Sequence, residues 1–496
     1  MSGISGNAAR SGGYVGGVLR PHLSMLDAAA IEYVHEQSLR LLAEVGVRVP
    51  LARAQTLLKD AGAVVDDETQ IVRFPRDLIE SAIARAPKTV LLAARDPQKD
   101  ALLDHTRSFA THDGMGAMCL DHRSGERRPS TARDLLEAMT VADALDEIGV
   151  LWYTAYPCDE EPRLQSLRGL QSMLAGSGKH VQGEVTDPAD VPYVMDILAA
   201  ASPGGVWQAE RPIFSIVYCP VSPLQHDAES LEAAILLAEQ GVPITVYSLA
   251  IAGATAPITQ AGTTVQTNAE ELAAFAILQL AVPGCPLVYV GNAGIMDMRT
   301  STYTSAGPEE ILLNLALTEM GRHYGFPVLS CGLSSDAKEL CVQVGSDGGP
   351  MAFCTILAGA DLLTGAGMLD SAQLLYLPKL VLDAELVRQG QRLTAGLALD
   401  DEHVMLDVTR RVGPGGHFLA ARETRRFLRN GELQLPHVFV RGSYDGWLAD
   451  GRSESQRATE KVDEILATHH PLPLPDGAAQ RIEEIIAAAG EEKTAE

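Results

Sequence analysis

At 496 residues the chain exceeds the size at which a single core stops growing, so a large core with accessory elements is expected. Hydrophobic residues make up 46% and charged residues 21%, which excludes a disordered chain. A net charge of −25 argues against nucleic acid and anionic membrane as partners and mildly favours cationic ligands.

The predicted elements run as follows. Residues 1–104 read as an N-terminal accessory region: a Gly-rich start, a helix over 29–45 and a Pro-led helix over 75–85. A repeated pattern of apolar strand, Gly/Pro loop and helix then fills 105–395. Its strands are placed at 107–111, 150–153, 181–185, 213–218, 244–249, 287–291, 328–331 and 361–364, starting 31 to 43 residues apart. Helices are predicted over 131–145, 228–240, 269–280, 309–323 and 348–358. Eight such units predict an α/β fold, a (β/α)8 TIM barrel. An open doubly wound sheet is the alternative fold, but no GxGxxG or GxxxxGK[ST] loop accompanies it. The first strand is the least defined, since 107–121 also reads as a hairpin. Residues 396–496 read as a C-terminal helical extension packed on the barrel, after a helix over 371–392 that Pro378 should kink or break.

Two uncharged stretches, 240–269 and 273–296, have membrane-span length, but prolines and glycines interrupt both and each holds a strand-like run. The seven cysteines include no CxxC pair, and the N-terminus has no apolar signal core, so a cytoplasmic location is expected.

A barrel places its active site at the carboxyl ends of the strands. Those ends supply His112 and Asp113, Tyr153 and Tyr156, Gln182 and Glu184, Tyr218 and Cys219, Tyr247, Asn292, then Cys331, Gly332 and Asp336, with no lysine among them. Aromatic rings beside carboxylates suit a quaternary ammonium ion, which cannot donate a hydrogen bond. No HxH or HExxH occurs, so no metal site is expected, and no GxSxG elbow is present. Cys331 reads either as a thiolate nucleophile or as a small core residue.

Five segments carry a resemblance: His112–Thr131 (HDGMGAMCLDHRSGERRPST), Pro220–Leu224 (PVSPL), Gly291–Glu310 (GNAGIMDMRTSTYTSAGPEE), Gly359–Ser371 (GADLLTGAGMLDS) and Gly413–Phe418 (GPGGHF). In this order they resemble the trimethylamine methyltransferase family from about residue 20 to residue 475. The resemblance implies methyl transfer from a methylated amine to Co(I) of a cobalamin-type corrinoid on a separate protein, with no cofactor held tightly by this chain. Archaeal trimethylamine enzymes of the family carry pyrrolysine near the segment resembling Ser330–Asp336, which here is SCGLSSD in standard residues. That departure implies a quaternary amine such as glycine betaine as substrate, and a homo-oligomer is expected. Within this expectation the strand-end reading assigns His112, Asp113, Tyr218 and Tyr247 to the cation pocket. It assigns Asn292, Cys331 and Gly332 to the floor beneath the methyl acceptor, and His417 to a substrate carboxylate or to loop packing. Other barrel chemistry (a zinc-dependent methyltransferase or a lyase) and an inactive amine-binding homologue remain as alternatives.

Overall fold

A computed structural model of the chain describes residues 17–114 and 116–495. Eight parallel strands form one sheet: β1 (Phe109–Ala110), β2 (Val150–Trp152), β3 (His180–Gly183), β4 (Phe214–Tyr218), β5 (Ile244–Val246), β6 (Leu287–Val290), β7 (Val328–Cys331) and β8 (Leu362–Thr364). Each pairs with the next, β8 pairs back to β1, and the seam between β1 and β2 is closed by a single bridge, Ala110 to Ile148. The result is a (β/α)8 barrel. The strands read clearly in sequence because each is apolar on both faces, one turned to the barrel interior and one to the helices.

The helices that follow them are α1 (Ala132–Asp143), α2 (Gln165–Gly176), α3 (Val191–Ala201), α4 (Ala228–Glu239), α5 (Gln260–Ala281), α6 (Pro308–His323), α7 (Val342–Ala358) and α8 (Leu377–Ala395). Three differ from expectation. Helices α5 and α7 begin earlier, at Gln260 and Val342, than the apolar patterning indicated. Pro378 does not break α8 but occupies its first turn, where a missing N–H leaves no bond unmade. Beyond α8, the helical segment 401–412 divides at Met405, whose φ of 51° is left-handed.

Before the barrel, the helix Ala28–Glu44 packs on α5, and a hairpin of Val90–Leu92 with Ala101–Leu103 lies across the amino ends of the strands. There the Ala93 carbonyl bonds His180 Nδ1 at 2.9 Å, and the Ala93 N–H donates to the Pro212 carbonyl. After the barrel, Glu454–Thr468 packs on α8 and α1, and Ala478–Ala495 packs on α3.

At the carboxyl ends, loops build two small sheets around the mouth. Ile251–Ala252, Gly294–Asp297 and Thr302–Thr304 form one from the loops after β5 and β6. Met368–Leu369, Leu374–Leu375, Met118–Leu120 and Arg127–Pro129 form the other from the loops after β8 and β1. The first-strand region is thus a barrel strand and not the alternative hairpin over 107–121; the hairpin of Met118–Leu120 with Arg127–Pro129 lies downstream of it.

Candidate active site

Side chains alternate along a strand, so one residue of phase decides whether an end points into the cup or toward the helices. At β2, Trp152 turns inward: its ring stands 5.7 Å from that of Tyr247. Tyr153 turns outward, donates to the Gln165 carbonyl at 2.9 Å and presses on Gly169 of α2. At β4, Tyr218 turns outward, stacked on His226 at 4° with its hydroxyl 2.6 Å from Nδ1. Its place in the cup falls to Cys219, which keeps accessible surface while sitting near Glu184 and Glu271. Tyr218 is therefore no part of the pocket.

His112 is fully buried, with no hydrogen-bond partner among the described residues on either ring nitrogen. Burial first, and then Lys179, lower its pKa to about 3, so the ring is neutral. Lys179 itself donates to the Ala142 and Leu145 carbonyls at the end of α1. His417 is exposed, on the segment beyond α8.

The structure does bring together Asp113, Tyr247, Asn292 and Cys331. The Asn292 amide donates to the Tyr247 hydroxyl at 2.6 Å, and its Oδ1 has no partner among the described residues. The Cys331 thiol donates to Ser334 Oγ at 3.0 Å, which in turn donates to Asp113 at 3.3 Å. Burial raises the Cys331 thiol well above its usual range, and Glu310 and Asp113 push it further, so it stays protonated. Gly332 lies with its backbone against Leu363, where a Cβ would stand 2.5 Å from Cδ2.

Four further residues complete the cup. Trp152 supplies the second ring. Glu184, at the end of β3, has its pKa raised to about 7, by burial first and Asp113 second, with the Trp152 N–H opposing. Glu310, in the first turn of α6, is fully buried with neither carboxylate oxygen hydrogen-bonded among the described residues, and burial raises its pKa well above the ordinary value. Tyr303, on the hairpin of Gly294–Asp297 with Thr302–Thr304, lies in the neighbourhood of Glu310, Tyr247, Cys331 and Asp113. Gly294 permits this, since a Cβ there would stand 2.2 Å from the Tyr303 ring.

No lysine or arginine among the described residues belongs to this group. Lys379 lies behind it, buried, donating to the Leu333 carbonyl and Asp383 at 2.7 Å each. Among the described residues no three His, Cys, Asp or Glu side chains are grouped to hold a metal ion. No helix among them is long and apolar enough to cross a membrane. On α5, Glu270 accepts from Ser222 Oγ at 2.6 Å and Leu224 N at 2.8 Å, while Glu271 accepts from Ser248 N at 2.7 Å. These two carboxylates fix the loops after β4 and β5 and leave the cup to the others.

Fold and cup together define the class: a (β/α)8 barrel with a recessed, ring- and acid-lined site at the carboxyl ends of its strands. The family model described as trimethylamine methyltransferase (MTTB) matches residues 10–493, and the chain belongs to that family. Family membership places it among methyltransferases. It is 31% identical over 454 residues to trimethylamine methyltransferase MttB of Desulfitobacterium hafniense, covering 91% of each chain. It is 28% identical over 478 residues to a glycine betaine methyltransferase of the same species, covering 96% of this chain and 99% of that one. Among solved structures it matches the monomethylamine methyltransferase of Methanosarcina barkeri with a TM-score of 0.52 at 12% identity, over 94% of this chain and 89% of that one. At that identity the match speaks for the fold alone.

Proposed function

We propose that the chain moves a methyl group from a small quaternary amine, glycine betaine being the reference compound, to Co(I) of a corrinoid carried by a separate protein. The observation that carries this reading is the set of acids Asp113, Glu184 and Glu310 facing one cup with Trp152 and Tyr247, and no basic side chain among them. Glu310 has no hydrogen-bond partner among the described residues, and burying such a group is costly. A permanent cation offsets that cost, and each desolvated ring contact adds up to about 2 kcal/mol.

In the reaction the C–N bond breaks with its electron pair going to nitrogen, so the leaving group is a neutral tertiary amine. The acceptor supplies the pair for the new bond to methyl, and no proton moves. The barrel's work is therefore orientation and exclusion of water, for which positioning alone supplies roughly 7–11 kcal/mol. Glu184, poised near neutrality, keeps the wall from gripping the ground-state cation too firmly, since positive charge on the amine is lost toward the transition state. Asp113, Tyr247, Trp152 and Glu184 hold the cation in this reading. Asn292, Cys331 and Gly332 form the wall past which the methyl is presented.

The test incubates the protein with cob(I)alamin, free or carrier-bound, and a panel of methylated amines, and follows the methylcobalamin spectrum. Methylation by quaternary amines and none by trimethylamine is expected. Activity with trimethylamine alone would overturn the substrate class. Tight binding of quaternary amines without methyl transfer would instead make the chain a binding protein.

A further inference from the structure

The amino ends of the barrel strands carry a second cleft, opposite the mouth. It measures about 210 Å³, and its polar lining includes Arg20, His22, His105, Arg107, Ser108 and Arg322, with no acidic side chain among the lining residues. In a chain of net charge −25 such a grouping runs against the composition. Its walls come from distant parts of the sequence: the lead-in to the helix Ala28–Glu44, the turn before β1, the last turn of α6 and the end of α7. The Leu23 N–H donates to the Leu357 carbonyl at 3.0 Å, which brings the lead-in against α7.

The guanidinium groups of Arg20, Arg107 and Arg322 make no ion pair or hydrogen bond among the described residues. Arg322 is half-buried, and its Nη1 is sealed from solvent without a partner there. Arg107 is held by stacking, its guanidinium carbon 4.1 Å from the centre of the Phe109 ring. His105 differs, since its Nδ1 already meets Asp361 at 3.1 Å. A guanidinium does not lose its proton in a protein, so three unmatched positive charges share the cleft. Repulsion and partial burial both cost free energy there. The carboxyl end of α6 favours a cation and accounts in part for Arg322. Arg20 and Arg107 stand on no helix.

We propose that this cleft binds a small phosphate-bearing anion, either free phosphate or the phosphate group of an organic ester. Phosphate carries close to two negative charges at neutral pH and presents oxygens in several directions. Arginine forks meet such oxygens bidentately. A single carboxylate is planar, carries one charge and would leave two guanidinium groups unmatched. Seated between Arg20, Arg107 and Arg322, the anion fastens the lead-in to the carboxyl end of α6 and the turn before β1. The cleft and the cup lie at opposite ends of the barrel, so this site stands independently of the methyl-transfer reading.

The full chain is titrated by calorimetry at constant ionic strength with inorganic phosphate, pyrophosphate and phenyl phosphate, and with acetate and succinate as carboxylate controls. Saturable one-to-one binding of a phosphate compound, roughly tenfold or more tighter than either carboxylate, is expected. Strongest binding of inorganic phosphate identifies the free ion as the ligand, and strongest binding of phenyl phosphate or pyrophosphate identifies a larger phosphorylated compound. Tetramethylammonium should not compete. Arg20→Ala and Arg107→Ala, both at exposed positions, should each weaken binding by about tenfold or more. Arg322→Met should abolish it without lowering the melting temperature of the ligand-free protein, because an unmatched charge is removed. Should that variant fail to fold, the two exposed ones decide. No saturable binding of any phosphate compound overturns the proposal. So does binding that the double variant Arg20→Ala, Arg107→Ala retains in full, or carboxylates that bind as tightly as phosphates.

Discussion

Trp152 and Tyr247 stand across the cup from one another, ring centroids 5.7 Å apart and planes inclined at 54°. The tilt leaves the rings in direct contact, and both are buried, so a cation binds beside the pair rather than between them. Replacing Trp152 by Leu removes one ring and keeps an apolar filler. Up to about 2 kcal/mol of cation–π attraction goes with it, so affinity for glycine betaine or tetramethylammonium should fall by as much as roughly 30-fold in isothermal titration. Tyr247→Phe keeps the ring and loses only the bond from Asn292, so its effect should be several-fold smaller. Equal binding by W152L and wild type would remove the rings from the account.

Glu184 gives the site a pH dependence with a definite sign. Its folded pKa is about 7, raised from an ordinary value of 4.5. Below pH 7 the free protein holds it neutral, and a cation that prefers the carboxylate must expel the proton. Affinity should therefore drop by up to tenfold per unit as pH falls below 7 and level off above it. Stability runs the other way. Between 4.5 and 7 the folded state binds the extra proton, so ionisation destabilises the protein as pH rises through that window. Glu184→Gln should flatten the binding profile and raise the melting temperature at pH 8 more than at pH 4. A profile unchanged by the substitution would assign the titration to another group.

The eight strands were readable because burial on both faces writes each as an apolar run. What the runs do not carry is phase. Val150–Tyr153 looks equally apolar whichever way Trp152 points, and only packing of Tyr153 against Gly169 fixes it. The same ambiguity at β4 exchanged Tyr218 for Cys219. Glu184 stood among the strand ends but drew no assignment, since nothing local signals the neighbours that raise its pKa. Glu310 reads as an ordinary acid in a helix's first turn. Tyr303 lies beyond any strand end, on a hairpin whose return to the cup is a tertiary fact. His417 sits in a glycine-rich loop that suggests closure, yet its segment leaves α8 at the far end of the barrel.

Gly294 and Tyr303 make a testable pair. In Gly294→Ala the new methyl would stand 2.2 Å from the Tyr303 ring, so the ring has to leave the cup. KM for the amine should rise about tenfold or more, a displacement rather than a loss of fold. Tyr303→Ala vacates the same space by deletion. Adding Gly294→Ala to Tyr303→Ala should then change little, a strongly non-additive cycle of the kind seen for residues in contact. Additive effects on KM would mean that Gly294 acts through some other neighbour.

Lys379 and Asp383 form an ion pair 2.7 Å long in which both side chains are essentially inaccessible. The lysine also donates to the Leu333 carbonyl, and Asp383 accepts from the Gly367 N–H, so the pair fixes the loops after β7 and β8 behind Asp113. Removing one partner of a buried pair leaves the other uncompensated and costs about 3–5 kcal/mol. Lys379→Met should lose that much in urea unfolding at pH 7. Burial already raises the Asp383 pKa while Lys379 opposes the rise. Without the lysine the carboxyl protonates more readily, and the stability deficit should shrink as pH falls toward 4, where the unfolded chain takes up the same proton. Lys379→Met with Asp383→Leu removes both charges and should recover part of the loss. If the single variant unfolded at the wild-type urea concentration, the pair would be no more than a neutral ornament of the interior, and the loops around Cys331 and Gly332 would have to owe their positions to the Asp336 and Asp347 hydrogen bonds instead.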